Sequence, residues 1–167
     1  MIAKKAFLSL GSNVGSREQN IQRALAALER ERIRIIGRSS IYETEPQDFP
    51  QQPWFLNMAA SCETTCFPLQ LLAILQRIER ELGRVRGTGI VRKGPRIIDI
   101  DILMFGTVVM SMPQLVIPHP RMLQRRFVLE PLIEMAPDLK HSETKQPLSR
   151  YLSSVAAQKV RKLEPES

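Results

Sequence analysis

Residues 93–103 read Lys93-Gly94-Pro95-Arg96-Ile97-Ile98-Asp99-Ile100-Asp101-Ile102-Leu103. On an extended strand alternate side chains share a face, roughly 6.6 Å apart along the chain. Asp99 and Asp101 therefore lie on one face, and Ile98, Ile100 and Ile102 on the other. The isoleucine face needs a hydrophobic cover, so 96–105 is predicted to be a strand in a layered sheet. The Gly94-Pro95 pair before it marks a turn.

Working outward, residues 5–10 read as a short strand and Gly11-Ser12-Asn13-Val14-Gly15 as a turn. Ser16 and Gln19 have capping-box spacing, and Ile21, Ala24, Leu25 and Leu28 keep helical spacing, predicting a helix over 17–31. Residues 33–44 are rich in β-branched side chains and read as one strand, with Gly37 marking a bulge or bend. The proline-rich 45–53 is a loop, and 54–64 is a second strand, antiparallel to the previous one. Pro68 suits the first turn of a helix whose stripe is Leu71, Leu75, Ile78 and Leu82, with Gly83 at its end. Residues 84–95 form a glycine-rich basic loop. A short helix near 126–135 and a final helix over 147–163 complete the chain. The order β-α-β-β-α-β followed by helices predicts an α+β, ferredoxin-like sandwich with a mostly antiparallel sheet. It is read as a single domain, 1–163, with a short tail, 164–167.

The chain has 167 residues, 43% of them hydrophobic and 25% charged, an ordinary globular composition. No apolar run approaches the ~18 residues a membrane span needs, and the run Ala6–Leu10 is too short for a secretory core. The protein is expected to be cytoplasmic, with Cys62 and Cys66 as plain thiols. The net charge of +7 raises the possibility of a nucleic-acid partner. Its placement points elsewhere: residues 77–96 carry net +5 and residues 119–127 net +3, leaving the remainder slightly negative. Two short segments thus hold the excess, which fits a local anion site.

Asp99 and Asp101 offer hard oxygen ligands of the kind that take Mg²⁺ together with substrate phosphates. A solvated acidic face is the plainer reading of the pair alone. Arg96, three residues upstream, favours the site, because guanidinium beside paired carboxylates suits Mg²⁺ and polyphosphate handled together. Pro118 and Pro120 fix the backbone around His119, and Arg125 with Arg126 begins a helix where cations oppose the dipole, so a nearby anion would relieve them. The 11–15 turn lacks the Walker pattern, no G-x-S-x-G occurs, and two His with two Cys make no convincing triad or zinc set.

Taken together, Leu8–Asn13, Ser39–Thr44 with Pro46, Phe55-Leu56-Asn57, Gln76–Glu79, Gly83–Arg86, Gly94–Asp101, Pro118–Arg121 and Arg125–Leu132 resemble the 6-hydroxymethyl-7,8-dihydropterin pyrophosphokinase family along nearly the whole chain. The resemblance implies transfer of pyrophosphate from ATP to the hydroxymethyl oxygen of a reduced pterin, releasing AMP, in folate biosynthesis. It implies two Mg²⁺ ions on Asp99 and Asp101. It places Gln76, Glu79, Arg84, Arg86, Arg96, Ile102, His119 and Arg125 around ATP, and Thr44, Pro46, Phe55, Asn57, Asp99 and Phe127 around the pterin. Arg86, Arg96, Asp99 and Asp101 would carry catalysis, under a mobile cover formed by the 84–95 loop. A monomer with no nucleic-acid or membrane partner is expected. Lys93 stands where members often carry an aromatic, and Glu45 and Gln47 where less polar residues are common.

Overall fold

The computed structural model describes residues 2–47, 50–83 and 96–164. The elements in chain order are β1 (Lys4–Ser12), α1 (Arg17–Arg30), β2 (Arg34–Arg38), β3 (Tyr42–Thr44), β4 (Phe55–Thr64), α2 (Pro68–Glu81) and β5 (Asp99–Phe105). They are followed by β6 (Met110–Ser111), β7 (Val116–Ile117), α3 (Arg126–Met135) and β8 (Val160–Lys162), with 3-10 turns at Met122–Gln124 and Leu148–Val155. The main sheet runs β5-β1-β4-β3-β8, with β2 also paired to β4, and its pairings are all antiparallel. This is the α+β, ferredoxin-like sandwich that the element order predicts.

Strand alternation divides the sheet into two faces. Ala6, Leu8 and Leu10 of β1, Leu56 and Met58 of β4, and Ile100 and Ile102 of β5 belong to the core that α1 and α2 cover with Ile21, Leu25, Leu28, Leu71, Leu75 and Ile78. Each fully buried aliphatic side chain in it, such as Leu8, contributes about 1.5–3 kcal/mol. On the opposite face Phe7, Ala59 and Met104 pack under Val128, Leu129 and Leu132 of α3. That second cover is partial. It leaves the ends of β1, β4 and β5 that carry Gly11, Asn57 and Asp99 open on this face, where a cleft forms.

Local differences from the sequence reading have physical causes. The 33–44 strand is two strands, because the Ser39 hydroxyl enters the ladder and accepts the Ala59 amide at 2.9 Å. Gly37 does lie at a register shift, where a side chain would press on the Ser61 hydroxyl. Ser16 makes no side-chain cap; instead Asn20 donates to Ser12 Oγ at 3.1 Å and the Val14 carbonyl at 2.8 Å, fixing the 11–15 turn. The predicted helix over 147–163 is a 3-10 turn followed by β8, because the last residues find backbone partners on the open edge of β3. Strand β5 starts at Asp99, as the Arg96 peptide bonds to Asn13 outside the ladder. Helix α2 behaves as predicted, with Pro68 in its first turn and Gly83 past its end at φ +107°. Both cysteines are free thiols, and burial pushes Cys62 up to about 11.

Candidate active site

The open part of the sheet forms the floor of a cleft. Register fixes its layout: Gly11 of β1 lies opposite Asn57 on one side and Asp99 on the other, and Ser9 lies opposite Asp101. Thr44 at the end of β3 lies opposite Phe55. Arg125 and Phe127, at the start of α3, form the far wall, and Glu45, Gln47 and Gln52 line the near one.

One end of this cleft is an aromatic and amide slot. Asn57 is almost fully buried and donates through Nδ2 to Thr44 Oγ1 at 2.6 Å, which sets the orientation of its amide. Its Oδ1 lies over Gly11, so close that a Cβ there would collide with it. Glycine is therefore required at 11 by close approach. Phe55 and Phe127 add ring surface, and the Arg125 guanidinium sits 5.4 Å from the Phe127 ring centre in a cation–π contact.

The other end is charged. Arg96 donates to Asp99 Oδ2 at 2.8 Å, and both side chains are mostly buried. Burial and the neighbouring Asp99 carboxylate push Asp101 up to about 7; Glu79 adds to this, while Arg125 and Arg96 oppose it. Two interacting carboxylates on one strand face favour a cation between them, and an oxygen-only donor set suits Mg²⁺. Among the described residues no group of three or more His, Cys, Asp or Glu that could hold a metal ion assembles.

The remaining predicted residues surround the cleft. Glu79 is buried on α2 and accepts the Ile100 amide at 2.9 Å, covering the outer edge of β5. Gln76 lies nearly one turn before it on the same helix. Ile102 buries its side chain in the core beneath α1 and α2, so only its backbone, on the edge that Glu79 covers, can meet a ligand. His119 is anchored by its amide to the Leu103 carbonyl at 2.9 Å. Its Nδ1 accepts the Arg121 amide at 3.1 Å. Burial and the adjacent Arg125 and Arg121 outweigh Asp99 and lower it to about 4. His119 is thus neutral at pH 7, with its proton on Nε2 as a donor. Pro46 is buried beneath the near wall, and Glu45 and Gln47 beside it face the cleft instead. Arg84, Arg86 and Lys93 lie outside the described residues.

Arg126 is a correction to the anion-site reading. Its guanidinium is taken up by Glu130 at 3.1 Å and the Gln158 carbonyl at 2.8 Å, so its neighbour Arg125 is the cation of that pair that faces the cleft. Sequence reasoning also missed how Asn13 acts. Buried at 2% exposure, its Oδ1 accepts the Arg96 amide at 2.7 Å and its Nδ2 donates to Gln52 Oε1 at 2.8 Å and the Pro53 carbonyl at 3.0 Å. One side chain thereby ties the carboxylate end of the cleft to the near wall. Nothing in the spacing of the sequence points to Gln52, whereas Ser9 and Gly11 follow from strand register.

A sequence model of the 7,8-dihydro-6-hydroxymethylpterin-pyrophosphokinase family matches residues 7–137. A Bacillus subtilis 2-amino-4-hydroxy-6-hydroxymethyldihydropteridine pyrophosphokinase is 44% identical over 140 residues, covering 83% of this chain and 82% of that protein. The folic acid synthesis protein fol1 of Schizosaccharomyces pombe is 43% identical over 159 residues, covering 95% of this chain; the chain spans only 21% of that longer protein. The crystal structure of Plasmodium falciparum HPPK-DHPS has a TM-score of 0.72 at 17% identity, over 91% of this chain and 44% of that one, and so shares the fold. By the span of the family match and the identity to the similarly sized Bacillus relative, the chain belongs to the 7,8-dihydro-6-hydroxymethylpterin-pyrophosphokinase family.

Proposed function

We propose that this chain transfers pyrophosphate from ATP to the hydroxymethyl oxygen of 6-hydroxymethyl-7,8-dihydropterin, releasing AMP. The observation that carries the reading is the union, in one cleft of a chain of this family, of a carboxylate pair with an amide-and-aromatic slot.

Asn57 presents a donor and an acceptor in one fixed side chain, matching the amide-like edge of a pterin. Phe55 and Phe127 offer ring faces to a flat heterocycle. Held there, the substrate's hydroxymethyl group is directed toward Asp99 and Asp101. The oxygen attacks the β-phosphorus, the new O–P bond forms, the bond to the α,β-bridging oxygen breaks, and AMP departs while the hydroxyl proton is lost. Arg96 and Arg125 supply fixed positive charge for the phosphate oxygens, and neutral His119 supplies an Nε2–H donor. By the family resemblance, Arg84 and Arg86 would add further donors. Asp99 and Asp101 would hold Mg²⁺, two ions by the family resemblance, and the metal would neutralise triphosphate charge and orient the reacting groups.

A cytoplasmic monomer is part of the proposal, and no helix among the described residues is long and apolar enough to cross a membrane. The test is AMP release from Mg-ATP with the pterin alcohol present, omitted, or present with EDTA. AMP is expected only in the first; AMP formed at full rate in EDTA would remove the metal assignment.

A further inference from the structure

The family match ends at residue 137, yet a later segment touches both sides of the slot. Gln158 binds the start of α3: its Oε1 accepts the Arg126 amide at 2.8 Å, and its Nε2 donates to the Gln124 carbonyl at 2.8 Å. Its own carbonyl accepts from the Arg126 guanidinium at 2.8 Å. The next residue binds the opposite wall. The Lys159 amide donates to Glu45 Oε1 at 2.8 Å, and the Lys159 carbonyl accepts the Glu45 amide at 3.1 Å. Two residues further on, Arg161 pairs with Glu43 at 2.8 Å, and β8 locks onto β3 with Thr44 opposite Val160.

The partners of this segment are the sequence neighbours of the slot residues. Arg126 lies between Arg125 and Phe127, and Glu45 follows Thr44. Gln158 and Lys159 therefore bridge the back of the two walls at their cleft ends, while farther along α3 meets β3 directly through Glu134 and Tyr42. Aromatic contact falls off within a fraction of an ångström, so wall spacing controls how well a flat ring is held.

We infer that residues 156–162 act as a strap, with Gln158 as a positioning residue that sets the separation between the Phe127 wall and the Thr44–Glu45 wall. The inference rests on the reading of that slot as the pterin site. Gln158 touches no substrate in this account; it acts through the start of α3. Loosening it loosens the slot and leaves the carboxylate end, tied by Asn13 and Arg96, in place.

The test compares wild type with Gln158→Ala, which loses both side-chain bonds, and Gln158→Glu, which keeps the acceptor for the Arg126 amide. Steady-state AMP formation gives KM for each substrate, and a thermal melt reports folding. For Gln158→Ala, KM for the pterin is expected to rise about tenfold and KM for ATP by a smaller factor, about threefold, since Arg125 also rides on the start of α3. Gln158→Glu should recover part of the loss. Unchanged pterin KM in Gln158→Ala overturns the strap, as does an equal rise in both KM values with a lowered melting temperature, which marks a structural role only. If wild type itself makes no AMP from these substrates, the slot assignment fails, and the strap with it. Wild-type AMP formation beside an unaffected variant sinks the strap alone.

Discussion

Asp101 carries the tension in the site. Its carboxyl is raised above the value it has in an unfolded chain, from 3.8 to about 7. The metal-free folded state therefore binds a proton more tightly than the unfolded state, and its stability falls as pH rises through the interval between those values. Asp101→Asn removes that charge, so in EDTA at pH 8 the variant should melt at a higher temperature than wild type. At pH 4 the gap should close. A lower melting point for the variant at pH 8 would contradict the electrostatic reading. Turnover should behave oppositely: Asp101→Asn and Asp99→Ala are each expected to lose at least about 10³-fold in AMP formation. Gly11 makes a separate prediction. A methyl group there collides with Asn57 Oδ1, so Gly11→Ala should raise KM for the pterin by about tenfold or more through a displaced amide, measured in the same assay.

At the scale of elements, the edge of the sheet is held by a carboxylate. Glu134 on α3 accepts the Ser40 amide at 3.0 Å, the Ser40 hydroxyl at 2.6 Å and the Tyr42 hydroxyl at 2.8 Å, and pairs with Lys162 at 3.3 Å. Burial alone would raise its carboxyl, but these donors win and hold it below the usual range. Burial and the same carboxylate raise the Tyr42 hydroxyl above its ordinary value. The stability Glu134 contributes is present above the ordinary pKa and lost as pH falls through the lowered one. Glu134→Gln should therefore destabilise the fold by about 1–3 kcal/mol at pH 7 and by less near pH 3, read by urea melts. An equal loss at both pH values would mean that geometry alone, not charge, fixes this edge. None of this was visible in the sequence, where Ser40, Tyr42, Glu134 and Lys162 have no spacing in common. Strand β5 and helix α2 were legible, because alternation and a 3.6-residue stripe are local. The last strand was not, because its place is set by an open edge far away in the chain.

Across the whole molecule, the net charge of +7 resolves into local work. Arg96 faces Asp99, and Arg125 stands over Phe127 beside the carboxylate pair, while Arg17 and Arg161 share Glu43 and Arg126 is spent on the strap. Sequence alone pointed to the carboxylate pair and, through the family resemblance, to several residues that line the cleft. It could not show Asn13 and Gln52 joining the two ends, since buried hydrogen bonds between distant loops leave no pattern. The two-phosphate transfer proposed for this cleft rests on the family match together with a slot and a carboxylate pair that share one cavity. Phosphorus NMR of the products tests this most directly, with Mg-ATP and 6-hydroxymethyl-7,8-dihydropterin as substrates. The account predicts AMP in equal amount to a pterin diphosphate ester, with coupled α and β resonances. ADP beside a pterin monophosphate would contradict it.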